Sequence, residues 1–146
     1  MDKERKKALR ALQKKIGYHY KSLDLLNQGL RHKSFVHENL EEDGKDNERL
    51  EFLGDAGLDL VIGHLIMARY PDYPEGSLSR LRAAVVNEVR LAGIASDLSL
   101  GEYLLLGKGE ERTRGREKNS ILAASLEALL ATIYLDGGFK KAFKVI

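Results

Sequence analysis

An all-α fold is what the sequence predicts, and three observations predict it. Proline occurs only at Pro71 and Pro74, inside Tyr70-Pro-Asp-Tyr-Pro-Glu-Gly76, so the rest of the chain is free of the residue that breaks helices. Leu50, Leu53, Gly57, Leu60, Val61 and His64 recur at intervals of three and four, as do Leu78, Leu81, Val85, Val89, Ala92 and Ala95. No stretch sustains the apolar–polar alternation of a half-buried strand.

Read in order, the same signals predict a basic helix near 2–15 and two short helices within 22–37. A long helix follows near 46–69, and after the proline turn another near 77–97, with Ser77 as its cap. Residues 107–118 read as a charged loop punctuated by glycine. A strongly apolar helix covers about 119–135, Asp136-Gly-Gly138 stops it, and a last helix begins at Phe139. It runs to Ile146 with neither cap nor stop signal, the pattern expected of a domain cut from a longer chain.

At 146 residues and a net charge of +2, with 43% hydrophobic and 32% charged residues, the chain suits one globular domain over 1–146. The absence of cysteine excludes a disulfide scaffold, a thiolate zinc site and a cysteine nucleophile together. Ser125 and Glu127 interrupt the longest apolar run, so no membrane span is expected, and the charged N-terminus lacks the apolar core of a signal peptide. A cytoplasmic protein is the expectation.

Charge is unevenly placed. Residues 1–15 hold seven Lys/Arg against Asp2 and Glu4, and residues 108–118 hold five against three Glu. Between them, residues 38–55 hold eight Asp/Glu against Lys45 and Arg49. Basic segments suit a phosphate backbone; a dense acidic zone repels one unless cations mediate. For the N-terminal run alone, ordinary solvated surface is the simpler account.

The sharpest local pattern is Asn47-Glu-Arg-Leu-Glu-Phe-Leu-Gly-Asp-Ala56. On a helix Glu48, Glu51, Asp55 and Asp59 share one face, a like-charge stripe that destabilises the helix by a few tenths of a kcal/mol per pair, about 0.2–0.5. Leu50, Phe52, Leu53 and Leu58 flank it, and carboxylates among apolar neighbours call for a cation. Two readings fit: an exposed stripe neutralised by Arg49 and solvent, or hard oxygen ligands around Mg²⁺ or Mn²⁺. The helix from Ser120 to Leu135 carries a single charge, Glu127. A helix apolar nearly all round belongs in a core, where a Glu needs a partner: a metal, or a buried arginine such as Arg82. Three carboxylates from two helices beside basic surface describe metal-dependent phosphodiester chemistry.

At this point the residues resemble a known family. Glu48-Arg-Leu-Glu-Phe-Leu-Gly-Asp-Ala56 is similar to the signature of the bacterial ribonuclease III nuclease domain. Leu30-Arg-His-Lys-Ser-Phe35 with Glu38-Asn39, Pro74-Glu-Gly-Ser-Leu78, Leu81-Arg-Ala-Ala-Val-Val-Asn87, Leu106-Gly-Lys-Gly-Glu110, Ser120-Ile-Leu-Ala123 and Ile133-Tyr-Leu-Asp-Gly-Gly138 extend the match over essentially the whole chain. The resemblance implies an all-helical homodimeric domain, without a small-molecule cofactor or membrane partner, that hydrolyses double-stranded RNA with Mg²⁺, Mn²⁺ substituting. It implies 5′-phosphate and 3′-hydroxyl ends, short 3′ overhangs, and a role in processing rRNA and other precursors. Glu51 falls on a metal ligand, Asp55 on a catalytic acid near metal and water, and Glu127 on the ligand whose loss is least tolerated. Glu48 and Glu75 match further acidic residues of the cleft, and Phe52 an aromatic that packs across the dimer interface. No base-reading element is implied, since duplex RNA is recognised through shape, 2′-hydroxyls and phosphates.

Three departures stand out. Residue 124 is Ala where the family pattern has Asp, one turn before Glu127, which removes a carboxylate and leaves open a catalytically impaired RNA-binding or dimerisation module. Gly57 replaces a larger apolar residue at a mid-helix cost of about 1 kcal/mol. The double-stranded-RNA-binding domain usual after the nuclease domain does not follow in this sequence. Elsewhere, His32 and Ser34 suit helix capping and packing, Gly107-Lys-Gly109 lacks the spacing of a P-loop, and Arg112, Arg114 and Arg116 suit either phosphate contacts or a solvated loop.

Overall fold

A computed structural model describes residues 1–39 and 44–146. Glu41, Glu42 and Asp43 of the acidic zone lie outside the described residues. The helices are α1 (Lys3–Ile16), α2 (Leu23–Gly29), α3 (Lys33–Glu38), α4 (Glu48–Arg69), α5 (Glu75–Val85), α6 (Glu88–Asp97), α7 (Lys108–Arg112), α8 (Asn119–Gly137) and α9 (Phe139–Val145). Short 3₁₀ turns span Leu100–Tyr103 and Gly115–Glu117. Among the described residues the strand-like pairing is one isolated parallel bridge, Arg31 to Leu105, so the all-helical expectation holds.

The apolar sequence of α8 makes it the central helix. Ile121, Leu122, Leu126, Leu129, Leu130 and Ile133 are buried, and α4, α6, α2 and α9 pack around them. Each leucine or isoleucine so buried stabilises the fold by about 1.5–3 kcal/mol. By length and composition α8 could cross a membrane, contrary to the expectation from its interruptions, but 61% of its apolar window is buried inside the fold. It is the core helix that a sequence apolar nearly all round predicts.

Three expectations are corrected. The helix near 77–97 is two helices: Val86 and Asn87 are extended, and the Asn87 side chain accepts from the Arg90 amide to start α6. Ser77 is not the cap of α5; the helix opens at Glu75 after Pro74, and the Ser77 amide already donates to the Pro74 carbonyl. The segment 107–118 is not a loop but α7 and a 3₁₀ turn. Lys118 Nζ meets Glu110 at 2.5 Å, and Arg116 donates to the Gly101 and Leu104 carbonyls at 2.7 and 2.6 Å. Arg116 is thereby a structural residue, while Arg112 and Arg114 are exposed.

Gly138, at φ +89°, ends α8 as expected, two residues beyond the expected boundary. There Asp136 accepts from the Tyr18 hydroxyl at 2.7 Å and the Lys21 and Ser22 amides at 2.8 and 3.0 Å, clasping the α1–α2 connection to the core helix. Burial alone would push its carboxyl up; the Tyr18, Lys21 and Ser22 donors outweigh it and hold the carboxyl low. With the folded value depressed, this stability is present above the ordinary value of 3.8 and lost as pH falls through the folded one. Asp136→Asn is expected to cost about 1–3 kcal/mol in urea unfolding at pH 7. The gap between the two proteins should narrow at pH 3; an undiminished gap there would sink the assignment.

Candidate active site

The start of α4 is fixed by Asn47, whose side chain is buried. Its Nδ2 donates to the Gly29 carbonyl at 2.9 Å, its amide to the Arg31 carbonyl at 3.0 Å, and its carbonyl accepts from the Glu51 amide at 2.8 Å. Asp46 accepts from the Glu48 amide at 2.9 Å. The first turn of α4, which carries Glu48 and Glu51, is thereby tied to the end of α2.

The next turn meets α8 at Gly54. A Cβ there would overlap the Glu127 carbonyl oxygen, so glycine is what allows the two backbones to touch. Glu51 and Asp55 flank Gly54 on α4, and Glu127 lies on α8 at the same crossing. Glu48, Glu51, Phe52, Asp55 and Glu127 line one open depression. The structure therefore brings together five of the six residues singled out from the sequence. Glu75 is elsewhere in this chain: it opens α5 and accepts from the Ser79 hydroxyl at 2.8 Å.

The depression is electrostatically strained. Glu127 is pushed up to about 8, first by burial, then by a hydrogen bond with Asp55 and the charges of Asp55, Glu51 and Asp59. Glu51 is raised by burial and by Glu48 and Asp55, against a smaller opposing pull from Lys33. Among the described residues no ion pair involves Glu127; Arg82 is exposed, and a carboxylate rather than an arginine stands beside Glu127. Lys33 pairs with Glu48 at 3.9 Å with both side chains 58% exposed, a contact of little energetic weight. No three of the described His, Asp or Glu side chains are drawn close enough to form a finished metal cage. The donor set fits a divalent cation nonetheless: hard carboxylate oxygens from two helices, charged alike, with Glu51 and Glu127 half-buried.

Ala124 lines a second depression, alongside His32, Lys33, Glu48 and Glu51. Position 124 thus borders the same acidic cleft from its other side. His32 performs the capping role expected of it: Nδ1 accepts from the Ser34 amide at 3.1 Å, and Ser34 Oγ accepts from the Gly107 amide at 2.8 Å. Asn47, directly before the signature, and Gly54, inside it, are the positioning residues that sequence reasoning left without a role. An Asn directly before a helix and a glycine between two acids were the available signals.

Phe52 is 79% exposed beside these carboxylates, with Leu60 and Met67 also exposed along α4. Leu53, Gly57, Leu60, Val61, Tyr134 and Phe139 line an apolar groove next to it. Gly57 has nothing within 4 Å of its Cβ position, so it widens this groove rather than admitting a neighbouring backbone.

Fold and site define a helical domain with an acidic cleft at the crossing of two helices. The chain belongs to the ribonuclease III family: the Ribonuclease-III-like family model matches residues 22–146. It is 59% identical over 138 residues to Ribonuclease 3 of Syntrophobacter fumaroxidans, covering 94% of this chain and 57% of that protein. It is 49% identical over 132 residues to Ribonuclease 3 of Geobacter metallireducens, covering 90% and 54%. The chain spans a little over half the length of these curated relatives. The solved nuclease domain of ribonuclease III from Campylobacter jejuni superposes with a TM-score of 0.85 at 44% identity, covering 92% of this chain and 90% of that one. That structure is described as flexible in a region involved in dimer formation.

Proposed function

We propose that the chain is the nuclease domain of a metal-dependent endoribonuclease that cuts double-stranded RNA as a homodimer. Glu127 carries the reading: a half-buried carboxylate on the core helix, facing Asp55 and Glu51, with no ion-pair partner among the described residues. Glu51, Asp55 and Glu127 would hold Mg²⁺, or Mn²⁺ in its place. A divalent cation held there would supply Lewis-acid polarisation of the scissile phosphate and would lower the pKa of a water beside it. Asp55, one turn from Glu51 and hydrogen-bonded to Glu127, holds the attacking water and accepts its proton. Glu48, more exposed, screens the rim. Attack on phosphorus with the 3′ oxygen leaving gives 5′-phosphate and 3′-hydroxyl ends. Processing of rRNA and other precursors in the cytoplasm follows from the same reading.

The direct test is cleavage of a long duplex RNA in Mg²⁺ by the wild type and by Ala124→Asp. A carboxylate at 124 adds a hard ligand beside Glu51, so the variant is expected to need about tenfold less Mg²⁺ for half-maximal rate. Ala124 also supports a second reading, an impaired binding module. Cleavage by Ala124→Asp alone, with both proteins binding duplex RNA, would decide for it.

Dimerisation rests on exposed apolar surface. Phe52 is left exposed by its own chain, and α5 contains no buried residue although Leu78, Leu81 and Val85 line one side. A second copy would cover both, each Phe52 contributing about 1.5–3 kcal/mol. Phe52→Ser is expected to weaken dimerisation about 100-fold in sedimentation equilibrium, since a symmetric interface loses the contact twice. An unchanged dimer would sink this interface.

A further inference from the structure

Two segments far apart in the chain build a basic surface that the mechanism leaves unused. Residues 14–21 contain Lys14, Lys15 and Lys21, residues 137–146 contain Lys140, Lys141 and Lys144, and neither segment contains an acid. They meet where the Asp136 clasp holds the α1–α2 connection to the end of α8. Gly137 permits the approach, since a Cβ there would overlap the Tyr18 hydroxyl. A depression of about 440 Å³ lies at the junction, its lining including Tyr18, His19, Lys21, Lys141 and Lys144.

Packing on one side of α9 leaves its lysines on the other. Ala142 is buried, and half-buried Phe143 meets His64 of α4 edge-on with ring centroids 5.9 Å apart, while Lys140, Lys141 and Lys144 are exposed. Lys141 and Lys144 are three residues apart and so share a helix face, about 5–6 Å between Cβ atoms. Among the described residues neither of them, nor Lys21, forms an ion pair. Asp136 feels the charge of Lys21, but its oxygens are occupied by the Tyr18 hydroxyl and the Lys21 and Ser22 amides, so it offsets only part of the positive charge. Lys15 is engaged elsewhere: its Nζ donates to the Leu98 carbonyl at 3.4 Å and sits over the Tyr103 ring.

This surface stands apart from the carboxylates. It shares no lining residue with either acidic depression, and along α8 Gly137 is ten residues from Glu127, about 15 Å. Lysines are compact point charges that meet phosphate oxygens without reading bases. A concave group of them with little acid nearby concentrates a polyanion.

We propose that this surface binds the phosphate backbone of duplex RNA outside the catalytic cleft, with Lys141 and Lys144 on phosphates of one strand and Lys21 beside them. The choice of RNA as the polyanion rests on the nuclease reading; the charge and its setting come from the fold.

The test measures binding of the whole chain to a short blunt duplex RNA in EDTA by fluorescence anisotropy, from about 50 to 200 mM salt. Lys141→Gln/Lys144→Gln should melt like the wild type, bind about tenfold more weakly, and show a logarithmic salt slope shallower by about 2. Lys141→Arg/Lys144→Arg should keep the wild-type slope, because the charge is retained. Lys3→Gln/Lys7→Gln removes the same charge from exposed positions of α1 outside the depression and should leave the slope unchanged. No binding by the wild type, an unaltered slope in Lys141→Gln/Lys144→Gln, or an equal loss in the α1 pair overturns the proposal. If Lys141→Gln/Lys144→Gln loses binding to phosphatidylserine vesicles while its RNA slope is intact, the surface faces a membrane and the proposal fails. The nuclease reading fails separately, when neither the wild type nor Ala124→Asp cuts a long duplex in Mg²⁺, because binding in EDTA is read without cleavage.

Discussion

Glu127→Gln is expected to abolish cleavage and, in the same protein, to raise the melting temperature of the metal-free form. Both outcomes come from one charge. On the proposed function the carboxylate would help to hold the cation on which the reaction depends; its loss should cost about 10³-fold or more in rate, about 4 kcal/mol. Without a cation it is a half-buried anion pressed against Asp55 and Glu51. Its folded-state value, about 8, lies above the ordinary 4.5. Between those two values the unfolded chain has released the proton while the folded chain keeps it. Stability therefore falls as pH rises through that window, and the full penalty is present above pH 8. Gln has no proton to lose, so the variant gains on the wild type across the window and holds its lead beyond it. Because Glu127 is only half-buried, solvent screening reduces the gain to the order of 1 kcal/mol, or about 3 °C for a domain this size. Mg²⁺ reverses the order by binding to the wild type, with proton release that makes its affinity climb toward pH 8. Scanning calorimetry at pH 5 and pH 8.5, with and without Mg²⁺, checks each step. A variant less stable than wild type in EDTA at pH 8.5 would mean that Glu127 already has a compensating partner.

Much of this arrangement was legible in the sequence because it depends on periodicity. Glu51 and Asp55 share a face by spacing alone, and Glu127 stands out as one charge on a helix that is otherwise apolar. The helix boundaries that failed did so for local reasons. The period of three and four runs from Leu78 through Ala95 without a break, so it concealed the two extended residues at Val86 and Asn87. The cap that Asn87 offers α6 was the contrary signal, and an apolar pattern does not register it. The order within residues 107–118 comes from the Lys118–Glu110 ion pair and from Arg116 reaching the carbonyls of residues 101 and 104, side-chain contacts that leave no period to read. Glu75 shares its sequence character with the cleft acids but starts a different helix, and spacing within one helix says nothing about which helices meet. The same limit hid Gly54, because a glycine's role at a crossing depends on what arrives from the other helix.

Gly54→Ala should therefore be the most damaging single methyl group in the domain. The atom an added Cβ would strike is the carbonyl oxygen of Glu127, which belongs to the backbone of the core helix and cannot swing aside as a side chain would. Relief requires α4 and α8 to separate, which opens the packing of Leu50 and Leu53 against Ala128 and Ala131. Overpacking of this kind typically costs about 1–3 kcal/mol, and a clash of backbone with backbone belongs at the upper end. Gly57→Ala, three residues along the same helix, is the matched control. Its Cβ meets nothing within 4 Å, so the gain in helix propensity should stabilise the fold by up to about 1 kcal/mol. The opposite signs cannot come from glycine chemistry, which is common to both sites; they come from the crossing. Activity should separate them further, because spreading the helices moves Glu127 away from Asp55 and Glu51 in the molecules that still fold. Cleavage by Gly54→Ala, measured in Mg²⁺ at a temperature where urea titration finds it fully folded, should still fall by about 100-fold, the cost of a misplacement near 1 Å. Full activity in that folded fraction would mean that the cleft tolerates a wider crossing and that Gly54 serves stability alone.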